Sequence, residues 1–177
     1  EGDLNILKDI FGEDKPYRAQ IGDSLGDKMY NAISEVLSEG ASSVCLCGTD
    51  IPELSAEDIE GAFDLLERND VVISPTEDGG YYLVGMKKAT REVFDIEGYG
   101  GSTVFENTKR KVKDLGISLM TCIIHRDIDD QEDIKAYYEI MRNDENFRKT
   151  NTAKFLKENK KIAIIIPTYN EENTIVS

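Results

Sequence analysis

The chain has 177 residues, enough for about one domain with a core of its own. Thirty-five Asp and Glu against 21 Lys and Arg give a net charge of −14, a surface that repels a phosphate backbone and excludes nucleic acid as a default partner. With 40% hydrophobic and 32% charged residues, the balance is that of a folded soluble protein rather than a disordered one.

No secretory signal pattern is present, and the longest apolar run, Ile162–Pro167, is too short to span a bilayer. The three cysteines, Cys45, Cys47 and Cys122, include no CxxC pair and are odd in number. They are expected to be reduced and buried in a cytoplasmic protein.

In chain order, residues 1–20 are mixed and polar, with a turn or two of helix expected over Leu4–Phe11, ending at Gly12. Asp23 or Ser24 can cap a helix from Leu25, with Met29, Ala32, Ile33, Val36 and Leu37 on one face and Gly40 as its stop. Residues 43–48 read as a buried strand. Ser55 and Asp58 then form a capping box, with Leu54 and Ile59 placed as a hydrophobic staple. Ile59, Ala62, Phe63 and Leu66 form the apolar face of the helix that follows.

Strands are expected over residues 71–74 and 81–86, joined by the loop PTEDGG. A Gly-rich loop leads to a helix over residues 102–115, with Val104, Thr108, Val112 and Leu115 on one side. A strand over residues 117–124 follows, and then a helix capped by Asp130 with Asp133 at its third position. Its inward positions are Ile134, Tyr137, Tyr138 and Met141. Residues 142–160 are polar, with a short helix around residues 153–158. A last strand, KIAIII, leads into PTYNEEN. Alternating strands and helices, with strands that lack clean polar alternation, predict an α/β domain covered on both faces.

Ligands of open α/β sheets bind beyond the carboxyl ends of the strands. Three expected strands end in acidic loops, GTDIP, PTEDGG and HRDIDD, so Asp50, Asp78, Asp127 and Asp129 can converge if their strands are neighbours. An oxygen-only set suits Mg²⁺ or Mn²⁺ held together with substrate phosphates. Each acid also has a plainer reading. Asp50 can make an Asx turn, Asp78-Gly79-Gly80 an ordinary turn, and Asp130 a helix cap. His125, the only histidine, has no nucleophile partner in the sequence and reads as structural. Gly79 and Gly80 allow close backbone approach, and the glycines ahead of Ser102 place free N–H groups at a helix start.

The segments QIGDSLGDKMYNAI, VCLCGTDIPEL, DVVISPTEDGGYYLVGM, STVFENT and RDIDDQEDI together resemble the DUF2064 family, from about Gln20 to Ile140. That resemblance implies a GT-A-like, nucleotide-diphospho-sugar transferase fold. The expected form is a three-layer sandwich with a mostly parallel sheet, lacking the N-terminal strand and its nucleotide-gripping loop. It implies that Asp50, with Thr49, binds metal and diphosphate, and that Asp78, Gly79 and Gly80 form the sugar-side or acceptor-side loop. Asp127 and Asp129 would close the acidic site, and Ser102 would line it. Thus Asp50, Asp127 and Asp129 are expected to hold the metal, and Asp78 and Asp129 to act in catalysis. Tyr99 stands where a Trp is expected before the Ser-Thr pair.

The tail KIAIIIPTYNEENTI resembles the first strand and loop of family 2 glycosyltransferases. The expected organisation is a GT-A-like domain over residues 1–142, a linker or short helix over 143–160, and the first strand of a second domain over 161–177. That strand is expected either to stand apart or to complete the sheet, in its own chain or in a dimer by exchange. Three functions fit this reading. The first is a glycosyltransferase using a nucleotide-diphosphate sugar and a divalent cation, with an unknown acceptor. The second is a nucleotidyltransferase on a phosphorylated small molecule. The third is a non-catalytic binding domain fused to an active glycosyltransferase.

Overall fold

A computed structural model describes residues 4–158. Helix α1 spans Leu4–Phe11 and α2 Leu25–Ser38. Strand β1 (Val44–Cys47) leads to α3 (Ala56–Leu66), and β2 (Val71–Pro75) and β3 (Tyr81–Met86) form a hairpin. After a 3₁₀ turn at Arg91–Phe94 come α4 (Val104–Asp114), β4 (Leu119–Thr121), α5 (Gln131–Asn143) and α6 (Asn151–Glu158). The expected strand over 161–166 lies outside the described residues.

The helix starts follow local chemistry. Ser24, Ser55 and Asp130 each accept from the backbone N–H three residues on, and Asp27, Asp58 and Asp133 return the bond to the cap backbone. Each reciprocal pair satisfies donors that an α-helix leaves open at its first turn. Gly40, at φ +105°, follows α2 in a backbone region that L side chains rarely adopt.

The sheet order is β1-β3-β2-β4. Strand β3 runs antiparallel to both β1 and β2, while β2 and β4 are parallel. The sheet is therefore mixed, not mostly parallel. The reason is the tight TEDGG connection: five residues can reverse a chain into a hairpin but cannot make the long crossover that a parallel neighbour needs. Strands β1, β2 and β4 still point the same way, so their carboxyl ends share one rim. Among the described residues β1 is an end strand, paired only with β3.

Three layers result. Ile33 of α2, Val112 of α4 and Val93 and Phe94 of the 3₁₀ turn pack on Val71, Ile73, Val84 and Met86. On the other face Ala62 and Leu66 of α3 pack on Val72 and Leu83. A third cluster joins Tyr137, Phe147, Ala153 and Leu156, so the segment after α5 folds back against it. The pairing Ser74↔Leu83 is followed by Pro75↔Tyr81, which leaves Tyr82 as a β-bulge. The bulge turns Tyr82 onto the same face as Leu83 and breaks the two-residue alternation.

Several local expectations are corrected by the packing. Phe63 is 39% exposed and Leu115 37% exposed, because each sits at the margin of its helix's apolar stripe. Strand β4 is three residues long, since Ile123 and Ile124 leave the ladder toward the rim. Cys45 and Cys122 are half-buried and Cys47 is exposed, in contrast to three buried thiols, because β1 and β4 are the two end strands of the described sheet. All three are free, and burial pushes the Cys45 thiol up to about 11.

Candidate active site

The rim of the sheet gathers the loop after β1, the β2–β3 hairpin and the segment after β4. The hairpin closes with Gly79 N–H to Thr76 O at 3.2 Å and Thr76 N–H to Gly80 O at 3.1 Å. Asp78 Oδ1 accepts from the Thr76 hydroxyl at 2.5 Å and from Gly80 N–H at 2.9 Å, which fixes the carboxylate on the turn. Gly79 has φ +96°, and a Cβ there would overlap the Ser102 carbonyl oxygen. Its own carbonyl accepts from Phe105 N–H at 2.9 Å. The hairpin tip thus docks on the first turn of α4. One of the helix N–H groups expected to be available to a ligand is taken by the protein itself.

Beyond β4 the chain stays beside the hairpin. His125 N–H donates to Pro75 O at 3.3 Å, and Glu77 N–H donates to His125 O at 3.1 Å. Ile128 N–H donates to Asp50 O at 3.1 Å, tying the same segment to the loop after β1. Arg126 pairs with Asp133 at 2.8 Å and with Glu77. Asp133 also accepts the N–H groups of Asp129 and Asp130, at 3.0 and 3.1 Å. The Tyr137 hydroxyl donates to the Arg126 carbonyl from below.

These braces bring Asp78, Asp127 and Asp129 together. Each offers a carboxylate oxygen such that all three lie within 4.8 Å of one another, a set that can hold a metal ion. Asp78 and Asp129 are exposed and Asp127 is half-buried. Asp127 is raised to about 6, first by desolvation and then by the negative charges of Asp78, Asp129 and Asp50. Asp129 is raised too, by desolvation and then by Asp50 and Asp78. Like charges held this closely disfavour their own ionisation, and a divalent cation among them relieves the repulsion.

Asp50 is not a member of the trio. It is exposed on the loop after β1 with Thr49, and its carboxylate folds back over Gly48. It acts on the trio through its field. Ser102 is exposed and faces the hairpin through its carbonyl, while Gly79 and Gly80 shape the turn that carries Asp78.

His125 precedes Asp127 of the trio by two residues. Its Nε2 is 3.2 Å from the Asp58 carboxylate, and its ring meets Tyr82 at 5.3 Å between centroids. The Tyr82 hydroxyl donates to Ile123 O at 3.2 Å. Burial opposes ionisation of Asp58, but bonds from Ser55 and His125 hold its carboxyl below the ordinary range. The capping box of α3 thereby also anchors the segment after β4. This link has no local signal, since Asp58 and His125 are 67 residues apart in the chain and Tyr82 reaches the imidazole only through the bulge.

Residues 2–100 match the model of DUF2064, described as an uncharacterized protein conserved in bacteria. The chain belongs to the DUF2064 family. This DUF2064 chain also resembles a crystal structure from Desulfovibrio desulfuricans G20, provisionally named a nucleotide-diphospho-sugar transferase. The two share 30% sequence identity and a TM-score of 0.83, over 90% of this chain and 71% of that one. No curated protein matches. Among the described residues, no helix is long and apolar enough to cross a membrane.

Proposed function

We propose that this protein is a glycosyltransferase-like enzyme that binds a nucleotide-diphosphate sugar through Mg²⁺ or Mn²⁺ at Asp78, Asp127 and Asp129. The observation that carries the reading is the convergence of three carboxylates from two rim segments within 4.8 Å. An all-oxygen donor set suits a hard cation that keeps further positions for water and phosphate. Similarity to a structure provisionally named a nucleotide-diphospho-sugar transferase supports the choice of donor class.

In this reading the trio holds the cation, and Asp50 adds negative potential beside it. A bound divalent cation supplies charge neutralisation for the departing diphosphate. Asp78 has one oxygen engaged by Thr76 and Gly80, so its other oxygen is the one offered outward. Asp129, exposed at the rim, takes the proton of an acceptor hydroxyl as that oxygen bonds to the sugar carbon and the carbon–diphosphate bond breaks. Thr49 and Ser102 lie on the flanking loops as donor contacts.

The test is calorimetry of the intact chain with a nucleotide-diphosphate sugar, with and without MnCl₂, followed by assay of the released product. Binding that requires the cation and vanishes in Asp127→Asn/Asp129→Asn, but not in Asp14→Asn, supports the site. Release of nucleoside diphosphate identifies glycosyl transfer. Release of pyrophosphate from a nucleoside triphosphate would instead identify nucleotidyl transfer, and no cation-dependent binding would remove the proposal.

A further inference from the structure

The rim segments meet at His125. Its N–H donates to Pro75 O at 3.3 Å, and its carbonyl accepts from Glu77 N–H at 3.1 Å. The main chain there is thus bonded on both sides to the hairpin that carries Asp78. Any residue can make those two bonds. The imidazole makes a further one, to α3, where Nε2 stands 3.2 Å from Asp58 Oδ2. Nδ1 lies 4.0 Å from Glu53 Oε2, in the loop after β1. The ring is 11% exposed and tilts against Tyr82 at 40°.

The direction of the Asp58 bond follows from its other partners. Asp58 Oδ2 accepts from Ser55 N–H at 2.9 Å and from the Ser55 hydroxyl at 2.7 Å. It is an acceptor, so Nε2 of His125 carries the hydrogen. A donor on an ionised carboxylate makes a charge-assisted bond, about twice as strong as a neutral one. Asp58 is itself fixed in the first turn of α3 by the capping box. The imidazole therefore ties the segment after β4 to an element that supplies no carboxylate to the trio.

We propose that His125 is a positioning residue for the cation site at Asp78, Asp127 and Asp129. Its bond to Asp58 sets where the segment after β4 leaves the sheet, and so where Asp127 and Asp129 stand against Asp78. This role rests on the cation reading given above. Asp127 follows His125 by two residues, roughly 7 Å of extended chain. Beyond it, Asp133 braces the far end by accepting from Asp129 N–H and pairing with Arg126. His125 braces the near end. The three carboxylate oxygens lie within 4.8 Å of one another, so a displacement of about 1 Å at Asp127 costs the site a well-placed ligand.

The test compares single substitutions in the intact chain by Mn²⁺ titration calorimetry, thermal melting and residue-resolved amide exchange in cation-free buffer. His125→Phe keeps a ring against Tyr82 and removes the donor. His125→Gln gives up the ring and keeps an N–H donor at similar reach. The His125→Phe variant is expected to bind Mn²⁺ about tenfold more weakly. Its Ile128 and Glu77 amides should exchange faster, while the Val72 amide in the interior strand β2 stays slow. The His125→Gln variant should recover most of the affinity even where its Tm is lower. A purely structural histidine predicts the opposite order, with affinity following Tm and the His125→Phe variant nearer the unsubstituted chain. That order overturns the proposal, as does an unchanged Kd in His125→Phe. If His125→Phe does not fold, Asp58→Asn is read by the same measurements, and an unchanged Kd there overturns it. No Mn²⁺ binding by the unsubstituted chain removes the cation site and this role together. Binding that ignores the substitutions removes only the role of His125.

Discussion

At the scale of single residues, Asp127 has a measurable signature. Its folded-state carboxyl titrates near 6, above the ordinary value of about 3.9 for an unfolded chain. The folded form therefore holds this proton more tightly. The stability it confers is fully present below about pH 4 and is lost as pH rises through 6. Asp127→Asn mimics the neutral group, so in cation-free buffer at pH 7 it should raise Tm. With the shift discounted for solvent screening, a gain of about 1 kcal/mol corresponds to ~2–4 °C. That gain should shrink toward zero at pH 4, as thermal scans across this range would show. The same substitution should weaken Mn²⁺ binding by at least tenfold. Binding to the native site should release protons between pH 5 and 7, read as buffer-dependent heats in calorimetry. Gly79 has the opposite character. Gly79→Ala places a Cβ on the Ser102 carbonyl at a left-handed φ, and should cost about 2 kcal/mol or more in denaturant melts.

At the scale of elements, the site depends on how the segment after β4 is braced. Asp133 serves as a helix cap partner, as the acceptor for two successive N–H groups and as the partner of Arg126. Asp133→Asn keeps the size but weakens those charge-assisted bonds. It should reduce cation affinity about 10-fold, with a smaller change in Tm than Gly79→Ala, by titration calorimetry and melting of the same samples. Much of this framework was readable from the chain. The capping boxes at Ser24, Ser55 and Asp130 are local three-residue signals, and the strands at 71–75 and 81–86 are apolar runs with clear borders. What could not be read was long-range. The reversed direction of β3, the Tyr82 bulge and the contact between Asp58 and His125 depend on which strands become neighbours. The convergence of Asp78, Asp127 and Asp129 was expected only on the condition that their strands are neighbours, and which acids would form the group, with Asp50 left alongside, was not readable. That grouping follows from the bridge between Thr76 and His125 and not from any spacing in the sequence.

At the scale of the whole molecule, a cation that binds only the folded form must raise its stability. At a hundredfold excess over Kd, MnCl₂ should add about 2.7 kcal/mol, seen as an upward Tm shift that disappears in Asp127→Asn/Asp129→Asn. The mixed sheet also divides the labour of the rim unequally. Asp78 rides on a hairpin reversal clamped at both ends, to the sheet through Thr76 and to α4 through Gly79. Asp127 and Asp129 ride on a longer strap, held by backbone bonds at His125 and Ile128 and by the side chains of Arg126 and Asp133. A larger ion, such as Ca²⁺ with ligands at about 2.3–2.6 Å, needs more room than Mg²⁺ at about 2.0–2.1 Å. The clamped wall cannot yield that room, so the strap must. At the proposed cation site, discrimination by ionic radius would then be set by how stiffly Arg126, Asp133 and the Ile128 backbone bond hold the strap, all outside the carboxylate trio.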